Sequence, residues 1–158
     1  RWKPRPPKRF KLAPMGKPFR ITIHHSADVN GLGATTWGNA AKHIRAIQYD
    51  HMVNRGWGDI GYHFFIDRSG RIWEARSLRY QGAHAGNYEV NRGNIGVVVE
   101  GNFEYERPTA AQIRSLKALI QYLCRKYRIP KWRVYPHSHF RPTACPGRYL
   151  RCLIPLLR

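Results

Sequence analysis

The 158 residues carry 28 Lys and Arg against 9 Asp and Glu, a formal net charge of +19, and 42% are hydrophobic. That length fits one domain with a sizeable core, and three cysteines are too few and too odd in number for a disulfide scaffold. No run of about 18 apolar residues is present to span a membrane, so a soluble chain is expected.

The charge is segregated. Residues 1–20 hold eight Lys and Arg and no acid, residues 107–158 hold twelve and no acid, and the stretch between holds eight against all nine acids. Two such basic regions favour a polyanion with salt-sensitive affinity, whether nucleic acid, an anionic envelope polymer or anionic lipid. The aromatics are not interleaved with the cations as stacking platforms would be, which argues against a specific nucleic-acid site.

Residues 1–19 open the chain with five prolines and too few large apolar residues to form a core of their own. They read as an extended basic arm ahead of a domain over residues 20–158. The chain starts at Arg1 with no apolar signal-peptide core, as a trimmed or mature chain would. ITIHHSA alternates as a half-buried strand, with Ile21 and Ile23 on one face, Thr22 and His24 on the other, and His25 pointing away from His24.

After a glycine-containing loop, Thr35 or Thr36 can cap a helix through about Asn54 with Ala40, Ile44 and Ile47 on its apolar stripe. YHFFID and RIWEA form a hairpin across Arg68–Ser69–Gly70, and NIGVVVEG has the β-branched density of a central strand. Thr109 and Gln112 make a capping box for a helix buried along Ile113, Leu116, Ile120, Leu123 and Tyr127 and stopped at Pro130. Arg133 to Tyr135 reads as a short strand and CPGRYLRCLIPLL as a final helix with Pro146 in its first turn. Cys124 and Cys152 read as small core residues. The element order is α/β.

A catalytic zinc site takes three protein ligands and leaves one position open. His24 ends a strand, while PHSHFRPTACPG places His137 and Cys145 around one loop, with Cys145 at a helix start whose dipole favours the thiolate. On residues alone these read equally as core histidines and a buried thiol.

The segments IHHSA, IQYDHMVNRGWGDIGYHFFID, GAHAGN, NIGVVVEGN and PHSHFRPTACPG resemble, in order, those of the zinc-dependent N-acetylmuramoyl-L-alanine amidases, a family that includes phage lysozymes and the peptidoglycan recognition proteins. The resemblance covers nearly the whole chain after the arm. It implies a mixed β-sheet of about five or six strands, helices on both sides, and one Zn2+ held by His24, His137 and Cys145 on the floor of an open groove, with His139 a bystander. It implies hydrolysis of the amide between muramic acid and L-alanine in peptidoglycan, the metal polarising the carbonyl and acidifying the attacking water. Tyr62 matches a tyrosine beside the metal, suited to position water or stabilise an oxyanion, and Thr143 matches a position that adds a second hydrogen bond.

Residues matching His51, Arg55, Gly56, Trp57 and His84 line the stem-peptide groove of recognition proteins, where a Gly-Trp pair accompanies meso-diaminopimelate. From residues alone, Trp57 reads equally as core, Arg55 as a helix C-terminal cation, His43 as surface and His63 as core. A glutamate that some relatives use as base aligns with Val98 and is absent here; Glu100, two residues along, reads as a solvated strand-end carboxylate. The paired cysteines of animal recognition proteins are missing as well. The expectation is therefore a monomeric, bacteriolytic endolysin acting at the bacterial cell wall, with a non-catalytic recognition module as the alternative, which the retained Cys145 disfavours. The arm either docks on lipopolysaccharide or wall polymer or is a disordered tail.

Overall fold

A computed structural model describes residues 1–28 and 36–158. ITIHH and NIGVVV form β1 (Arg20–His25) and β4 (Asn94–Val99), paired in parallel with His24 opposite Val98. The expected hairpin is β2 (Phe64–Ile66) paired antiparallel with β3 (Ile72–Glu74), and β5 (Val134–Pro136) adds beside β1. The five-stranded order is β3-β2-β4-β1-β5.

Side-chain alternation divides the core. Ile21, Ile23, Ile95, Val97 and Val99 face α3 (Ala110–Tyr127), which carries Leu116, Ile120 and Leu123, together with the short α5 (Ile154–Leu157). Val98 and Phe65 face Ala40 and Ile44 of α1 (Trp37–Tyr49). Because helices cover both faces, β1 is buried at every residue from Ile21 to His25, not half-buried as its alternation suggested. A polar residue at position 24 thus lies on the α1 side of the sheet, inside the protein.

Thr36 caps α1, its hydroxyl accepting from the Asn39 amide at 3.2 Å; Thr35 and the glycine-containing loop fall outside the described residues. The helix stops at Tyr49 and continues as a π-helical turn, Asp50–Asn54, of the kind that often marks functional sites. The capping box on α3 forms as expected, with Thr109 and Gln112 satisfying each other's backbone amides. The C-terminal segment departs from one continuous helix: α4 (Arg148–Arg151) and α5 are separate four-residue helices, and Cys152, at the break, is exposed, whereas Cys124 is buried.

Residues 1–19 lie along the domain and borrow its cores. Trp2 packs among Ala40, Ile44, Phe65 and Trp73, and its indole donates to the Glu74 carbonyl at 2.7 Å. Arg5 exchanges two hydrogen bonds with the Gln48 side chain, Pro14 bridges to Tyr80, and Met15 enters the α3-side core. Replacing Trp2 with Ala should cost about 3 kcal/mol, read as a lower urea midpoint at unchanged slope; an unaltered midpoint would show that the segment is not anchored there.

Candidate metal centre and groove

Parallel pairing of β1 with β5 ends at Ile23 opposite Pro136, so the next residues, His24 and His137, emerge side by side at one end of the sheet. Their rings lie 4.4 Å apart. His137 opens a short 3-10 turn, His137–His139, and the Ser138 amide donates to the Cys145 carbonyl, which folds the loop back and leaves Cys145 Sγ 3.7 Å from His24 Nδ1. The three ligand atoms all fall within 4.8 Å of one another. His139 stacks on Tyr135 instead.

Hydrogen bonds assign the tautomers. His84 Nε2 is 3.0 Å from the Asn94 carbonyl, which only accepts, so Nε2 carries the proton and His84 Nδ1 is bare. That bare nitrogen sits 3.0 Å from His24 Nε2, which must therefore donate, leaving His24 Nδ1 unprotonated on the side of Cys145. Asn91 Oδ1 fixes the His84 loop by accepting from the amides of His84 and Ala85. Gly96 makes room for the ring, since a Cβ there would stand 2.5 Å from His84 Cδ2. His84 was expected as a groove-lining residue; it borders the groove and also supports His24 from behind.

Burial, then the neighbouring His84 and His137, holds His24 far below the usual imidazole range, and burial followed by the Arg141 charge brings His137 down to about 4. Both are neutral, as ligands must be. Cys145 contradicts the expected thiolate: burial pushes its thiol up to about 12, and the helix beyond it begins only at Arg148 and is four residues long. The donor set nonetheless fits zinc. His137 Nε2 is buried without a hydrogen-bond partner, and tetrahedral Zn–N and Zn–S bonds of about 2.0 and 2.3 Å would separate nitrogen from sulfur by roughly 3.5 Å. Loading zinc would release the thiol proton.

Tyr62 lies with its ring 5.2 Å from that of His24, and burial, then Cys145, raises its phenol so that it stays protonated. Thr143 Oγ1 accepts from the Cys145 amide at 3.2 Å, which leaves its hydroxyl proton free to donate. A groove of about 470 Å³ runs past His137, His84 and Tyr62 to His51, Trp57 and Arg55. His51 Nδ1 accepts from the Gly61 amide, its ring packs tilted against Trp57 at 4.7 Å, and burial, then Arg55, lowers it to about 4. Arg55 is exposed, ion-paired to Asp50 at 2.9 Å and stacked over Trp57. Gly56, at φ +69°, turns the chain from Arg55 into Trp57 and lines a neighbouring cavity, not the groove. Sequence reading missed Arg141 on the opposite wall.

Two expectations are corrected nearby. His43 is 5% exposed and Glu100 1% exposed, not surface and solvated. His43 Nδ1 lies 2.5 Å from Glu100 and Nε2 3.1 Å from Asp28, while the second Glu100 oxygen accepts from the Arg68 amide. Glu100 is thus occupied and unsuited to act as a base. His63 is core, as expected.

Burial alone would lower His43, but its hydrogen bonds to Asp28 and Glu100 carry it up to about 9. A pKa raised above the unfolded value of about 6.5 gives stability that is fully present below pH 6.5 and lost as pH rises through 9. Thermal melts should therefore fall more steeply between pH 7 and 10 for the wild type than for His43→Gln; parallel curves would show that the imidazolium contributes nothing. For the metal centre, Cys145→Ala should abolish stoichiometric zinc uptake. His84→Ala should weaken zinc roughly 10- to 100-fold in a chromophoric-chelator competition, and unchanged affinity would exclude the supporting role.

Residues 14–148 match the N-acetylmuramoyl-L-alanine amidase family, Amidase_2. The chain is 35% identical over 126 residues to peptidoglycan-recognition protein SC2 of Drosophila simulans, covering 79% of this chain and 66% of that protein. The structure of the N-acetylmuramoyl-L-alanine amidase LysC from Clostridium intestinale aligns with TM-score 0.73 at 36% identity, over 87% of this chain and 82% of that one. Peptidoglycan recognition protein LE, solved in complex with tracheal cytotoxin, a monomeric diaminopimelic acid-type peptidoglycan, aligns with TM-score 0.83 at 28% identity over 96% and 88%. With the family's sequence pattern over most of its length and the same mixed sheet, this chain belongs to the N-acetylmuramoyl-L-alanine amidase family.

Proposed function

We propose that this chain is a zinc-dependent amidase that cleaves the bond between N-acetylmuramic acid and L-alanine in peptidoglycan. The observation that carries the reading is the convergence of one ligand atom each from His24, His137 and Cys145 beside an open groove. A zinc ion held there would polarise the scissile carbonyl and acidify the attacking water. The chain's own groups supply the rest. His84 keeps His24 in the ligating tautomer. Tyr62, held protonated, donates to the oxygen on which negative charge develops, with the Thr143 hydroxyl as a second donor. His51, Trp57 and Arg55 present an aromatic and cationic wall to the stem peptide, and Gly56 sets their turn.

A meso-diaminopimelate peptide is the substrate this wall suits best, in keeping with the ligand of recognition protein LE. Exposed cations of residues 1–19 would add attraction to lipopolysaccharide or another anionic wall polymer, and the site of action is the bacterial envelope, where the enzyme works as a monomeric, endolysin-like lytic protein. A non-catalytic recognition module, as in part of this family, is the competing reading; Cys145, kept in ligand position, speaks for hydrolysis.

Mass spectrometry of digested diaminopimelate-type peptidoglycan should show free L-alanine amino termini that vanish with chelator and return with zinc. Intact glycopeptides under all conditions would sink the proposal. Tyr62→Phe should lower kcat about 10²- to 10³-fold with zinc content unchanged.

A further inference from the structure

The groove holds two arginines in different states. Arg55 is already paired with Asp50 and stacked on Trp57. Arg141, on the loop between His137 and Cys145, is exposed and makes no hydrogen bond or ion pair with any described residue. Its side chain crosses toward the His84 loop: a Cβ on Gly86 would meet Arg141 Cδ at 3.3 Å and Nη1 at 3.7 Å. The groove lining includes two arginines, three histidines and no carboxylate, so nothing within it neutralises Arg141. Arg141 lines the same groove as His137, which puts the guanidinium on the metal-centre side.

Counting from the scissile amide of a muramoyl stem peptide, the first ionisable group is the α-carboxylate on the second residue, which amidation converts to a neutral carboxamide. Resting on the amidase reading above, the geometry points to Arg141 as the specificity residue that grips this carboxylate and selects unamidated stem peptides. A guanidinium fork donates two parallel N–H···O bonds to a carboxylate, and a carboxamide offers one acceptor oxygen and no charge. Gly86 keeps the opposite wall clear so that the fork can lie across the groove.

The test compares a synthetic muramoyl tripeptide with its second-residue carboxamide, by kcat/KM with zinc-loaded protein and by calorimetric Kd in the presence of chelator. Wild type should favour the acid form about 10-fold in both. Arg141→Gln should bring the ratio near 1, and Arg141→Lys, which keeps charge without the fork, should retain part of it. Arg141 is exposed and has no hydrogen bond or ion pair among the described residues, so both variants should melt with the wild type. Equal handling of the two ligands by wild type, a ratio that survives Arg141→Gln, or one that collapses in Arg55→Gln instead overturns the assignment. Cleavage of both ligands at equal rates leaves the amidase standing and removes this inference. A Kd preference that Arg141→Gln abolishes, without any cleavage, removes the amidase and keeps this inference.

Discussion

Parallel hydrogen bonding of β1 between β4 and β5 is the constraint on which the site depends. It fixes three carboxyl ends side by side, and it decides that residue 24 and residue 137, more than a hundred positions apart, face each other across one strand spacing. A shift of one residue in β1 would turn His24 into the α3-side core and bring His25 out in its place, because successive side chains point to opposite faces. The apolar alternation on both sides of the sheet, Ile21 and Ile23 against Val98 and Phe65, therefore protects the chemistry as well as the core.

Burial acts on the same site in two directions. It keeps the imidazoles of His24, His84 and His137 neutral and so ready to ligate, and it keeps the Cys145 thiol and Tyr62 phenol protonated. A buried thiol with no cation beside it stays protonated until a metal arrives to share the charge. Around it, the His84–Asn94 contact and the Asn91 side chain turn an adaptable loop into a rigid mount, with Gly96 leaving the space the ring requires.

Much of this was legible in the sequence where the signal is local. The Thr109–Gln112 capping box, the β-branched run at Ile95 to Val99 and the Thr36 cap each need only neighbouring residues to be recognised. The resemblance in ordered motifs pointed to His24, His137 and Cys145 together, and the fold brings these three, not His139, within reach of one another. What escaped depends on partners distant in the chain. His43 and Glu100 are 57 positions apart, and neither shows in its own surroundings that it will be buried against the other. The Cys145 thiol was misjudged because its local context names a helix start, whereas the buried volume around it sets its protonation. Arg141 was passed over because a lone arginine among loop residues resembles any surface cation until the opposite wall is known.

The Trp2 indole occupies the Glu74 carbonyl on β3, the outermost strand of the hairpin side. On the far side, β5 is three residues long and ends in Pro136, which has no amide to offer. Both borders of the sheet are thus blunted against recruiting a strand from another molecule. Copies of a chain with a net charge of +19 also repel one another, so edge pairing into fibrils is opposed by both charge and geometry.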